Sequence, residues 1–140
     1  MYSKILVAIE NSAADHAVLE HIERLVKLTG AELLLVHVAD GFAARHFNDL
    51  ELRESDEIRG DRAYLERLCG DLAGKGMSCA ARLAMGDPTT ELVRVAAEER
   101  VDLIAMSTHG HRFLQDLLRG STADRVRHGV TVPVLMVRAK

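Results

Sequence analysis

Hydrophobic and polar positions along the chain follow two alternating periods. Continuous apolar runs fill Lys4-Ile5-Leu6-Val7-Ala8-Ile9, Glu32-Leu33-Leu34-Leu35-Val36-His37-Val38, Val101-Asp102-Leu103-Ile104-Ala105-Met106 and Val132-Pro133-Val134-Leu135-Met136-Val137. Runs this short and this rich in branched residues predict parallel strands covered on both faces. Between the first two, Ala14, Val18, Ile22, Leu25 and Leu28 recur at helical spacing and Gly30 ends the pattern, which predicts an amphipathic helix. Leu65, Leu68 and Leu72 give the stripe of a second helix over Ile58 to Leu72, closed by Gly74-Lys75-Gly76. From Ser78 to Met85 the alternation is weaker, as suits an edge strand. Gly86-Asp87-Pro88 starts the next helix, with Asp87 as cap, Pro88 in its first turn and Leu92, Val95 and Ala96 as its buried stripe. A last helical pattern, Thr122 to His128, carries Ala123 and Val126. Gly41 to Glu57 has no clean period and mixes Phe42 and Phe47 with charges, reading as a loop or a mobile helical segment.

Strand and helix patterns thus alternate through the chain. The expectation is an α/β fold: a single domain over residues 1–140 with a doubly wound parallel five-stranded sheet, order 3-2-1-4-5, and helices on both faces. Winding in such a sheet reverses between strands one and four, and ligands bind outside the carboxyl ends there. The loops concerned begin at Glu10 and Ser107.

Composition narrows the function. A chain of 140 residues with 48% hydrophobic content is long enough for one sizeable core. The net charge of −3 is spread over interspersed acids and bases without a basic block. The sequence therefore carries no electrostatic footprint for nucleic acid or an anionic membrane. The first apolar run is too short for a signal-peptide core or a membrane span, so a cytoplasmic protein is expected. Cys69 and Cys79 lack CxxC spacing and a cysteine-rich context, which fits ordinary reduced thiols better than a disulfide or redox pair.

The stretch Met106 to Thr122 joins a strand to a helix with a glycine near each end, Gly110 and Gly120. Such a connection suits a phosphate: glycines let the backbone approach, and Gly120-Ser121 opens a helix whose free N–H groups favour an anion. The same residues also describe an ordinary connection with a glycine turn and a serine N-cap, and these features alone do not separate the two. His109 and His111, even with His37, lack the further ligands and spacing of a zinc site. Ser121 lies in no nucleophile-elbow pattern and has no identifiable orienting acid. A receiver domain would need an aspartate ending strand three and a lysine ending strand five, where this chain has Met85 and Val137-Arg138. There is no GxxxxGK[ST] and no evident base in the candidate loop, so any ATP hydrolysis is expected to be slow and incidental.

These residues resemble the universal stress proteins over essentially the whole chain, from Lys4-Ile5-Leu6-Val7 through Leu35-Val36-His37-Val38, Gly86-Asp87-Pro88 and Ser107 to Ser121, to Pro133-Val134-Leu135-Met136-Val137. Nucleotide-binding members carry a glycine, two residues, a second glycine, nine residues, and then glycine followed by serine or threonine. Gly110 and Gly120-Ser121 match the later parts, while Ser107 stands at the first glycine. Glu10, beside Ala8 and Ile9, stands where these proteins usually place an aspartate. A serine at position 107 blocks a nucleotide only if the position needs positive φ or an approach closer than a Cβ permits.

The resemblance implies an adenine-nucleotide-binding stress-response regulator, taking ATP or AMP with or without Mg2+. By it, Gly110, Gly120, Ser121 and Thr122 would hold phosphates, with His111 and Arg112 beside them, Met106 and Ser107 along the nucleoside, Val38 at the adenine and Glu10 at the ribose. A family member without nucleotide, acting as a dimeric interaction module, is the alternative. A homodimer is expected through the last strand, by Val132, Val134, Leu135, Met136 and Val137, since a final strand at a sheet edge leaves backbone groups open to pairing.

Overall fold

A computed structural model describes residues 1–39, 56–107 and 130–138. Five strands, β1 (Lys4–Ala8), β2 (Glu32–Ala39), β3 (Cys79–Met85), β4 (Leu103–Ser107) and β5 (Val134–Val137), form one sheet in the order β3-β2-β1-β4-β5. Every pairing is parallel, with Leu6 opposite Leu34 on one side and Ile104 on the other. This is the doubly wound order expected from the alternation. Three helices occupy the described crossovers: α1 (Ala14–Thr29), α2 (Asp56–Gly74) and α3 (Pro88–Glu98).

The period-two geometry of the strands divides the apolar runs between two cores. Ile5, Val7 and Ile9 of β1 and its exit join Leu33, Leu35, Leu103 and Ala105 under α1 and α2, through Val18, Ile22, Leu65 and Leu72. Leu6 and Ala8 join Leu34, Val36, Ile104 and Met106 under α3, through Leu92, Val95 and Ala96. Both faces of the central strands are therefore dry, which is why their sequences read as unbroken apolar runs.

Local chemistry sets the ends of the elements. Gly30 takes φ of 72° and sends its N–H to the Val26 carbonyl, closing α1 in a left-handed turn. Asp87 caps α3 by accepting from Thr90 N and Thr90 Oγ1 at 2.9 and 2.7 Å, with Pro88 at the first helical position. Two strands start later than the apolar runs suggest. Val101 N bonds the Ala96 carbonyl and so belongs to the exit from α3, delaying β4 to Leu103. Pro133 has no N–H for the ladder and gives only its carbonyl to Ile104 N, so β5 begins at Val134 rather than Val132. Of Gly41 to Glu57, read as a loop or a mobile helical segment, Asp56 and Glu57 open α2 and the first fifteen residues lie outside the described ones, as does the helical pattern from Thr122 to His128.

Candidate functional site

The reversal of winding falls between β1 and β4, the neighbours from which β2 and β5 extend in opposite directions. Ala8 ends β1, Ile9 and Glu10 follow it, Val38 lies one residue before the end of β2, and Met106 and Ser107 end β4. These six residues, expected from the sequence to line a site, meet at the carboxyl ends of three adjacent strands. Ile9 N bonds the Val36 carbonyl at 2.8 Å, carrying the β1–β2 pairing one residue beyond the strand. Ala8, Met106 and Val38 belong to the same packed cluster, on the α3 side of the sheet. Ala8 and Met106 are buried there, and Val38 alone of the three is partly exposed. Gly110, His111, Arg112, Gly120, Ser121 and Thr122 lie outside the described residues, as does His109.

Ser107 is buried at 2% exposure. Among the described non-glycine residues only Asn11 and Arg100 have positive φ, so Ser107 holds a backbone conformation open to any L-residue. The departure from glycine at this position therefore introduces no backbone strain.

The connection from β1 to α1 is shaped by an acid that the sequence pattern did not single out. Asp15, 1% exposed in the first turn of α1, turns its carboxylate back onto the loop. Its Oδ1 accepts from Glu10 N at 2.9 Å, and its Oδ2 accepts from Asn11 N at 2.9 Å, Ser12 N at 3.1 Å and Tyr64 Oη at 2.7 Å. Three successive N–H groups around a carboxylate make an anion nest, here already filled by the chain's own side chain. The positive φ of Asn11, 63°, is what turns these N–H groups toward a common point. Burial, and then the hydrogen bond to Asp15, holds the Tyr64 hydroxyl protonated well above the ordinary phenol range.

A second chain of bonds ties the same loop to β2 and α2. His37 Nδ1 lies 2.7 Å from the Ile9 carbonyl and His37 Nε2 lies 3.1 Å from Asp61 Oδ2, while Asp61 Oδ1 accepts from Asn11 Nδ2 at 2.9 Å. His37 is thus a satisfied histidine that braces the exit of β1. Glu10 is 7% exposed, and its Oε2 accepts from Ser12 Oγ at 3.3 Å. Glu10, Asp15 and Asp61 thus form a buried acidic cluster at the exit of β1, none of them more than 7% exposed. Asp15, Asp61 and Tyr64 escaped the pattern reading because each sits in a helix whose other charges face solvent; a polar residue interrupting the apolar run of β2, His37, was the available signal.

Comparison with known proteins places this architecture. A family model described as the Universal stress protein family matches residues 1–138. The chain belongs to that family. Among its relatives, universal stress protein YxiE of Bacillus subtilis is 31% identical over 99% of this chain and its own full length. Universal stress protein MJ0577 of Methanocaldococcus jannaschii is 28% identical over all of this chain and 97% of the relative. Its solved structure superposes with a TM-score of 0.79, covering 98% of that chain. A universal stress protein of Archaeoglobus fulgidus, solved in complex with dAMP, shares the fold at 21% identity and a TM-score of 0.67, over 97% of this chain and 98% of that one. For a universal stress protein, then, the fold expected from the apolar pattern is the one observed. No helix among the described residues is long and apolar enough to cross a membrane.

Proposed function

We propose that this protein binds an adenine nucleotide, ATP or AMP, across the carboxyl ends of β1, β2 and β4. The observation that carries the reading is the meeting of Ala8, Glu10, Val38, Met106 and Ser107 at the one point where the winding of the sheet reverses. Val38 and Met106 supply apolar surface for adenine and nucleoside, and Glu10 supplies an acceptor for a ribose hydroxyl. With the β1–α1 nest already occupied by Asp15, phosphates are left to the loop carrying Gly110, His111, Arg112, Gly120, Ser121 and Thr122. The dAMP held by the A. fulgidus relative is of the chemical class this arrangement suits. Mg2+ would accompany ATP as a phosphate counter-ion.

In this reading the bound nucleotide regulates what the protein presents to others, and hydrolysis is slow and incidental. The regulator is a cytoplasmic homodimer joined along β5, an edge strand whose Val134 is 38% exposed. Isothermal titration with ATP, ADP and AMP, with mass spectrometry of small molecules released from the purified protein, tests the binding. Gly120→Val is expected to abolish it without unfolding the domain, and Ser107→Gly to leave it equal or tighter. No heat at millimolar nucleotide, with nothing co-purified, would overturn the reading in favour of a dimeric interaction module.

A further inference from the structure

Cys69 and Cys79 stand ten residues apart in sequence, one in the last turns of α2 and the other opening β3. The turn at Lys75 to Ser78 reverses the chain so that the end of the helix lies over the start of the strand. Gly76, at φ of 90°, and Met77, whose N–H returns to the Leu72 carbonyl, make that reversal tight. It brings the two Sγ atoms to 2.7 Å, so that closing a disulfide of about 2.04 Å needs an approach of only about 0.7 Å. Both thiols are free and only partly buried, against Tyr64, Leu68 and the core under α1 and α2. Cys79 opens an edge strand, whose outer side has no described strand beside it. The sequence spacing predicts ordinary reduced thiols rather than a disulfide or redox pair; both are free thiols, and the tertiary packing sets them side by side.

We propose that Cys69 and Cys79 form a reversible intramolecular disulfide, with a low-molecular-weight disulfide such as oxidised glutathione as the oxidant. In the first step the thiolate of one of the two cysteines attacks one sulfur of oxidised glutathione, and the glutathione S–S bond breaks to release one glutathione thiol. In the second, the thiolate of the other cysteine attacks the protein sulfur of the mixed disulfide and expels the other glutathione. The protein loses two electrons and two protons, and oxidised glutathione gains both to become two molecules of glutathione.

The bond staples α2 to β3. One to two turns earlier α2 presents Tyr64 and Asp61 to the β1–α1 loop, about 8 and about 12 Å away along the helix axis. Oxidation thereby fixes the helix that braces one wall of the candidate site, whether or not a nucleotide binds there.

The full chain is incubated with oxidised glutathione, its remaining thiols are blocked, and the products are mapped by mass spectrometry. The expected product is a monomer lighter by two hydrogens, with tryptic peptide Leu68–Lys75 joined to Gly76–Arg82 and restored by dithiothreitol. Its thermal midpoint should rise by roughly 5–10 °C over the reduced form, as closing a loop of this length implies. Cys69→Ser and Cys79→Ala should each lose that rise. Blocked thiols on both residues, a separate glutathione on each, or a bond between chains only would overturn the proposal, and the peptide map of the unaltered chain decides it even if a variant folds poorly.

Discussion

Removing the Asp15 carboxylate tests whether the β1–α1 connection is held as described. Asp15→Ala leaves the N–H groups of Glu10, Asn11 and Ser12 and the hydroxyl of Tyr64 without their acceptor, at a residue 1% exposed. A hydrogen bond to a charged group contributes about 1.5–3 kcal/mol, but four donors sharing one carboxylate do not add independently. The loop can recover part of the loss by admitting water. A net cost of about 3–5 kcal/mol follows, the range for breaking a buried charged network by deleting one partner. With a urea m-value of about 2 kcal/mol/M, the unfolding midpoint should fall by about 2 M at unchanged slope. A double-mutant cycle sharpens the test: Tyr64→Phe should cost about 1 kcal/mol in the native background and close to nothing beside Asp15→Ala. A midpoint shift under about 0.5 M, or equal Tyr64→Phe costs in the two backgrounds, would refute the account of this loop.

Asp102 accepts from Ser3 N and Lys4 N at 2.7 and 3.0 Å, tying the start of β1 to the approach to β4. Burial raises its carboxyl and those backbone N–H groups outweigh it, leaving it below the usual carboxylate range. Its folded value being depressed, the stability it contributes is complete above about pH 4 and lost as pH falls through that lower value; the wild-type advantage over Asp102→Asn should therefore be present at pH 7 and shrink toward pH 3 in denaturant titrations. Asp87→Ala removes the α3 cap and should cost about 1 kcal/mol by the same measurement. For the proposed dimer, Val134→Lys is the cleaner probe, because Leu135 packs against the core under α1 and α2 while Val134 is 38% exposed. Light scattering should show the lysine variant shifting to monomer with its thermal midpoint little changed, and a wild type already monomeric at high concentration would refute pairing along β5.

Much of the architecture follows from the chain read in one dimension. Short apolar runs alternating with helical stripes predict parallel strands joined by crossovers, and the doubly wound sheet expected on that ground, order 3-2-1-4-5, is the one observed. The winding reversal pointed to the loops that begin at Glu10 and Ser107, and the family resemblance added Ala8, Val38 and Met106 beside them. What the sequence could not decide depends on residues that meet only when helices settle on the sheet. Asp15 fills its own loop because the left-handed Asn11 turns three N–H groups inward, and no spacing rule announces that convergence. His37 meets Asp61, and Cys69 meets Cys79, through the seating of α2 on β2 and β3. Apolar periodicity determines that a helix packs but not which polar side chain faces which, since a shift of one turn keeps the same buried stripe and exchanges every polar contact. The backbone at Ser107 is likewise a tertiary result: its conformation as the last residue of β4 removes the strain that a serine in a glycine's place would otherwise suggest.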